Sequence, residues 1–241
     1  MMSRYVVQAG WSHAPHLTEK DIEDLTKSIS PHQREARMNG TPSLGAGAIY
    51  PVPEEDIVVE PFDIPSYWPR LYGLDVGWQR TAAIWLAHDR ESDIVYAYSE
   101  HYRGQAEPPV HAKAIRMRGE WIPGVIDTAA RGRSQVDGRS LWHLYEDEGL
   151  ILHNANKAVE AGLMEVLDRF SGGRLKVFST LQQTLGELRI YRRDEKGRIV
   201  KQNDHLMDAL RYGVMGIHNA DTRPRADDII PIPMGDPTAG Y

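Results

Sequence analysis

Residues 71–103, LYGLDVGWQRTAAIWLAHDRESDIVYAYSEHYR, contain three apolar stretches that are separated by short polar turns. The stretches 71–78, 81–89 and 93–103 have the composition of β-strands, and the first alternates large apolar residues with glycine or aspartate. Short connections between consecutive strands are typical of an antiparallel meander. The sequence therefore predicts that the sheet begins with three antiparallel strands.

Downstream of the meander, short strands alternate with helices. The predicted elements are helix 108–119, strand 124–127, helix 137–149, strand 150–154, helix 156–173 with Asn156 as its cap, strand 174–178, helix 179–191, a hairpin turning at 195–197, and a last helix that carries the apolar residues Leu206, Leu210 and Val214. Alternating units after a meander indicate parallel strands with crossover helices. The predicted fold class is α/β: a mixed sheet, antiparallel and then parallel, with helices on both faces.

The sequence predicts that the chain is divided into three regions. Residues 1–70 are interpreted as a lead-in or linker arm, because their second half is rich in proline and glycine. Residues 71–219 form the predicted globular domain, and residues 220–241 a flexible C-terminal tail. Four tryptophans in the predicted domain are expected to lie in or near the core: Trp78, Trp85, Trp121 and Trp142.

Composition excludes several classes of protein. The 241 residues carry a net charge of −6 with a pI near 5.9, which argues against a chain that is wrapped in nucleic acid, although a local basic patch remains compatible. No apolar run approaches the roughly 20 residues of a membrane span. Cysteine is absent, so disulfides and thiolate metal sites are excluded and a reducing compartment is favoured. Any metal must be held by carboxylates, histidines or water.

Four aspartates form the candidate site. Asp75 lies in the first strand between Gly73 and Gly77, which leave space that a cation and a phosphate are expected to occupy. Asp127 ends a buried strand, where α/β sheets commonly place their sites. Asp204 and Asp208 are four residues apart and share a helix face, where like charges repel unless a cation binds them.

Each of these aspartates also has a structural interpretation. Asp75 and Asp127 could anchor turns or cap a helix, and Asp204 could be a solvated helix start that the helix dipole favours. Asp208 is less well explained in this way, because its neighbours in sequence are apolar. Taken together, carboxylates on three elements without cysteine favour Mg²⁺ or Mn²⁺, and two such ions would suit phosphodiester hydrolysis.

Three motifs carry a resemblance to a known family. GLDVG (73–77), GVIDTAARG (124–132) and NDHLMDALRY (203–212) resemble the nuclease domain of the large terminase subunit of tailed bacteriophages, which has an RNase H-like (RuvC-like) fold. The resemblance extends over about residues 45–217, and its last motif is the most specific. It implies a metal-dependent endonuclease that cleaves double-stranded DNA during viral genome packaging with two Mg²⁺ or Mn²⁺ ions.

The resemblance also implies roles for single residues. Asp75, Asp127 and Asp208 match the catalytic acids, with Asp204 as an accessory acid near the second metal. Asp127 departs from the pattern, since many relatives have glutamate there. The chain has no GxxxxGK[ST] phosphate loop, so the ATPase motor that this family normally carries in the same chain is not expected within this sequence.

The implied partners are double-stranded DNA, that motor domain, the small terminase subunit and the portal protein, with no membrane, in the cytoplasm of the infected bacterial host. A basic hairpin directly before the last helix, together with two arginines after Asp127, is the expected surface for DNA phosphates. The predicted DNA-binding residues are Arg131, Arg133, Arg192, Arg193, Lys196, Arg198 and Lys201. The alternative is a solvated hairpin of mixed charge.

Three other functions remain open at this point. A Holliday-junction resolvase or transposase core would have the same fold and would prefer branched DNA. Residues 73–77 also resemble the first phosphate motif of actin-like ATPases, although no further glycine-rich nucleotide loop follows. A non-catalytic docking module would leave the four aspartates unexplained.

Overall fold

A single mixed sheet organises the molecule. The computed structural model describes residues 17–28, 47–131, 140–194 and 196–224. Within these residues the sheet has seven strands: β1 (Val58–Val59), β2 (Arg70–Asp75), β3 (Thr81–Asp89), β4 (Ile94–Arg103), β5 (Gly124–Ile126), β6 (Leu152–Asn154) and β7 (Leu175–Phe178). Their order across the sheet is β1-β7-β4-β3-β2-β5-β6.

The pairing directions confirm the predicted fold class. Strand β3 pairs antiparallel with both β2 and β4, which is the meander. Strands β5 and β6 extend the sheet in parallel beyond β2, and β7 and β1 extend it in parallel beyond β4. The carboxyl ends of β2, β5 and β6 therefore lie at the same edge of the sheet.

Helices cover both faces. Their bounds are α1 (Glu19–Ser28), α2 (Glu54–Ile57), α3 (Pro108–Arg116), α4 (Leu141–Asp147), α5 (Val159–Ser171), α6 (Gln182–Ile190) and α7 (His205–Met215), with 3₁₀ turns at Thr128–Arg131 and Ile217–Asn219. Local sequence explains two helix starts: Pro108 opens α3, and the Ser140 hydroxyl accepts a hydrogen bond from His143 N at 3.3 Å at the start of α4. None of the helices within the described ranges is both long and apolar enough to cross a bilayer.

Alternation along the strands divides the core between the two faces. Leu71 faces one cluster, which α5, α6 and α7 cover, whereas Tyr72 and Leu74 face a second cluster beneath α3 and α4. The expectation for the tryptophans is met at Trp85 and Trp142, which are buried, and at Trp121, which packs against the second cluster. It is wrong for Trp78, which is 60% exposed. Strand β2 ends at Asp75, so the residues after it leave the sheet.

Helix α7 packs directly against the sheet at Gly73. A Cβ atom at this position would lie 1.8 Å from the carbonyl oxygen of Ala209 in α7. The expectation that Gly73 leaves space for a cation and a phosphate is therefore wrong, because the backbone of α7 fills that space. This contact fixes α7, and with it Asp208, directly against the strand that carries Asp75.

Part of the predicted lead-in joins the sheet. Ile57 is fully buried, Ile49 and Tyr50 are nearly so, and β1 forms one edge of the sheet by pairing with β7. The predicted boundary at residue 70 remains a prediction, but residues 47–59 contribute to the same core. Residues 1–16 and 29–46 of the predicted lead-in and residues 225–241 of the predicted tail lie outside the described residues.

Candidate active site

Two of the four aspartates are neighbours at the carboxyl edge of the sheet. Leu74 of β2 pairs in register with Ile126 of β5, and the next residues along these parallel strands are Asp75 and Asp127. Adjacent strands lie about 4.8 Å apart. Two acids that are 52 positions apart in the sequence are thus brought side by side by one strand pairing.

Helix α7 supplies the other two aspartates. Asp204 precedes the helix and Asp208 lies in its first turn, with side chains that are only 9% and 12% exposed. The buried Glu187 of α6 fixes this end of α7, because its Oε2 accepts hydrogen bonds from Leu206 N at 2.7 Å and Met207 N at 3.3 Å. Sequence analysis missed Glu187, since nothing in the local pattern of α6 distinguishes it from a solvated glutamate.

Basic side chains of the protein contact Asp75, Asp204 and Asp208. Lys201 Nζ lies 2.9 Å from Asp208 Oδ2 and 3.0 Å from Asp204 Oδ2. Arg211 Nη2 donates to Asp208 Oδ1 at 2.9 Å, and His205 Nδ1 lies 2.8 Å from Asp75 Oδ2. With these contacts in place, no group of three Asp, Glu or His side chains in the described part of the chain is arranged to hold one ion.

The electrostatics show that the acids share one region. Burial raises the pKa of Asp75, and the charges of Asp208 and Asp204 raise it further, whereas the hydrogen bond from His205 opposes the shift. Burial also raises the pKa of Tyr212, and the charges of Asp208, Asp75 and Asp127 add to that effect. One tyrosine therefore lies within the field of the acids on all three elements.

A pocket of about 240 Å³ adjoins this region. It is lined by Asp127, Ala129, Asn156, Lys157, Val159, Arg211 and Tyr212. Asp127 is half-buried in its wall, and its Oδ1 accepts a hydrogen bond from Ala129 N at 3.1 Å. Asn156 and Lys157 were absent from the predicted site, although their position just after β6 at the carboxyl edge was a usable signal.

The predicted basic hairpin is present, but several of its cations are already paired. Arg193 forms an ion pair with Glu160 (2.6 Å), Arg198 forms one with Asp194 (3.0 Å), and Lys201 contacts the acids described above. Arg192 and Lys196 are exposed. Arg131 ends the 3₁₀ turn after Asp127, and Arg133 lies outside the described residues.

Comparisons with known proteins agree with this architecture. The sequence profile described as the terminase RNaseH-like domain matches residues 73–216. The curated terminase large subunit of Salmonella phage P22 is 32% identical over 244 residues, which cover 96% of this chain and 49% of the relative. That of Enterobacteria phage LP7 is 32% identical over 221 residues, covering 88% of this chain and 46% of the relative. The chain thus spans about half the length of these relatives.

Solved structures give the same result. The nuclease domain of the P22 large terminase superposes with a TM-score of 0.68 at 31% identity, covering 74% of this chain and 96% of that one. The large terminase nuclease of thermophilic phage G20c, solved with bound cobalt, has a TM-score of 0.51 at 11% identity, covering 70% and 97%. At that identity the likeness concerns the fold alone.

Proposed function

The chain belongs to the terminase RNaseH-like domain family, and we propose that it is a divalent-metal-dependent endonuclease that cuts double-stranded DNA during viral genome packaging. The observation that carries the proposal is the gathering of acids from β2, the end of β5 and α7 around Tyr212. The nuclease domain of P22, at 31% identity, supports the same class of activity.

The donor set fits hard divalent cations. Asp75, Asp127 and Asp208 would hold the ions, with Asp204 near the second, because carboxylate oxygens are the ligands that Mg²⁺ and Mn²⁺ prefer. Lys201 contacts both Asp204 and Asp208, and Arg211 contacts Asp208, so these two carboxylates already attract positive charge. When bound, two such ions would supply an activated water and stabilise the departing oxygen.

The chain's own cations position the acids. Arg211, at 3% exposure, holds one oxygen of Asp208 from within the core, and His205 orients Asp75. Lys201 is 61% exposed, so its side chain is free to leave Asp204 and Asp208 when another cation takes its place. A buried arginine and an exposed lysine thus have different roles at the same carboxylate.

DNA is proposed to bind through its phosphates. The proposed contacts are Arg131, Arg133, Arg192, Arg193, Lys196, Arg198 and Lys201. In the sequence they belong to the segment after Asp127 and to the hairpin before α7. Contacts of this kind are tolerant of sequence and weaken with salt. The ATPase motor domain, the small terminase subunit and the portal protein are proposed partners of the whole protein, and the host cytoplasm is its proposed location.

Nicking of supercoiled plasmid tests this function. Wild-type protein should cut with Mn²⁺ or Mg²⁺ and not with EDTA, and Asp75→Asn, Asp127→Asn and Asp208→Asn should each lower the rate by at least about 100-fold. Asp168→Asn is the matched control, because Asp168 is an exposed acid near the far end of α5. Undiminished cutting by a folded Asp75 or Asp208 variant would overturn the assignment, and a preference for four-way junctions would favour a resolvase.

A further inference from the structure

Helix α5 begins beside the candidate active site without a side-chain cap. It has 13 residues, Ala158 occupies its cap position, and no described side chain accepts a hydrogen bond from its first amides. Asn156, the predicted cap, instead accepts a hydrogen bond from Ala158 N at 2.9 Å and shapes the preceding turn. The first N–H groups of a helix have no partner within it and carry partial positive charge, so this end of α5 favours an anion.

Arg211 gives independent evidence that the same place favours an anion. Its side chain is 3% exposed and lines the pocket in front of α5. Nη2 is bound to Asp208, whereas Nε and Nη1 are buried and have no hydrogen-bond partner among the described residues. Buried donors of a charged group are costly when they are left unpaired. Nε and Nη1 are closed off from solvent in this arrangement, so an acceptor in the pocket satisfies them after a small shift of the Arg211 side chain.

The local charges also favour an anion. Lys157 lines the pocket and is exposed. Glu160, the acid in the first turn of α5, is paired with Arg193, whose Nη1 and Nη2 lie 3.0 and 2.6 Å from its carboxylate oxygens. Asp127 is the one acid in the pocket lining, and it links the pocket directly to the candidate catalytic centre.

We propose that the pocket between Asn156, Lys157, Val159 and Arg211 binds a backbone phosphate of the DNA, next to the phosphodiester that is cut. This inference rests on the proposed nuclease function and adds a binding site to it. The ammonium of Lys157, the first amides of α5 and the unpaired guanidinium N–H groups of Arg211 contact the phosphate oxygens. The pocket thereby fixes the register of the strand that crosses Asp75, Asp127 and Asp208.

Lys157→Met is the principal variant. Its control is Lys113→Met, since Lys113 is an exposed lysine on α3, on the other face of the sheet. Duplex binding is measured in an Asp75→Asn background at several salt concentrations, and cutting is measured without that change. We expect Lys157→Met to bind duplex DNA about tenfold more weakly and to lower the slope of log affinity against log salt concentration by about one. In the cutting assay its KM should rise while kcat stays nearly unchanged. Lys157→Arg should restore binding.

Ala158→Asp is the second variant. A carboxylate at the cap position takes the first amides of α5 for itself, so this change should raise the Tm and weaken DNA binding at the same time. DNA affinity, salt slope and KM equal to those of Lys113→Met would overturn the phosphate pocket, as would wild-type affinity in Ala158→Asp. Because binding is scored in the cleavage-deficient background, a wild type that never cuts refutes the nuclease function separately.

Discussion

Lys201 contacts carboxylates that are proposed to bind the catalytic metal ions. Its ammonium bridges Asp204 and Asp208, two acids that would otherwise repel each other across one turn of helix. The Lys201 ammonium and a divalent cation would contact the same carboxylate oxygens, so they cannot both be bound there at the same time. The spacing of the two aspartates predicted this need for a cation, but the sequence did not indicate that the chain supplies one.

A contact between the half-buried His101 and the buried His111 makes stability depend on pH. His101 Nε2 lies 2.9 Å from His111 Nδ1. Burial, and then the charges of His111, Arg118 and Arg103, lower the pKa of His101 to about 4, and burial lowers the pKa of His111. As the pH falls, these two histidines therefore bind protons at a higher pH in the unfolded chain than in the folded protein. The stability that these neutral rings contribute is complete above about pH 6.5 and is lost as the pH falls towards 4.

Urea unfolding at pH 7 and pH 5 checks this prediction. The free energy of unfolding should fall between the two pH values, with at most about 2 kcal/mol of that fall attributable to His101. A His101→Gln variant removes the titrating ring and should show a smaller fall. Equal pH sensitivity in the wild type and the variant would show that the histidine pair contributes nothing.

At the scale of elements, the contact between α7 and β2 determines where Asp208 lies. Gly73→Ala would place a methyl group 1.8 Å from the Ala209 carbonyl oxygen, so the helix must move. We expect a loss of about 3 kcal/mol in stability and a fall in nuclease activity greater than the loss of folded protein explains.

Gly186→Ala is the matched control for that change. Gly186 lies inside α6, and a Cβ atom there would meet nothing within 4 Å, so alanine should be neutral or stabilise by up to about 1 kcal/mol. Chemical denaturation of both variants measures the difference. A Gly73→Ala protein as stable and as active as Gly186→Ala would show that the close approach does not constrain α7.

The strand bounds also show what sequence patterns can and cannot predict. The predicted strand 81–89 coincides with β3, because it is apolar and bounded by polar turns. The first strand was predicted to run to Trp78, but the chain leaves the sheet after Asp75, where Gln105 N donates to the Trp78 carbonyl oxygen at 2.8 Å. That bond joins segments distant in sequence, and periodicity carries no information about such contacts.

The same limit applies to the site. The four aspartates could be selected from sequence because each has an unusual local context. The sequence could not predict that Lys157 and Arg211 line the same pocket, because their proximity depends on how α5 packs against α7. The role of Gly73 was misjudged for a related reason: a missing side chain indicates a close approach, but not which group approaches.

At the scale of the whole molecule, the sheet order collects the functional groups. Because β5 and β6 follow β2 in parallel, the ends of all three strands open at one edge, and α7 crosses the sheet there. The protein is acidic overall, with a net charge of −6, yet Lys157, Lys201 and Arg211 lie beside the acids at this edge. Overall charge therefore says little about the substrate, whereas the local arrangement of cationic groups is compatible with a DNA substrate.

A crystal grown or soaked with Mn²⁺, recorded with anomalous data, tests the central claim most directly. We predict two anomalous peaks about 4 Å apart among Asp75, Asp127 and Asp208, one of them near Asp204, with the Lys201 ammonium displaced from the carboxylates. Mn²⁺ bound elsewhere, or Lys201 still bridging Asp204 and Asp208 at saturating Mn²⁺, would contradict the account.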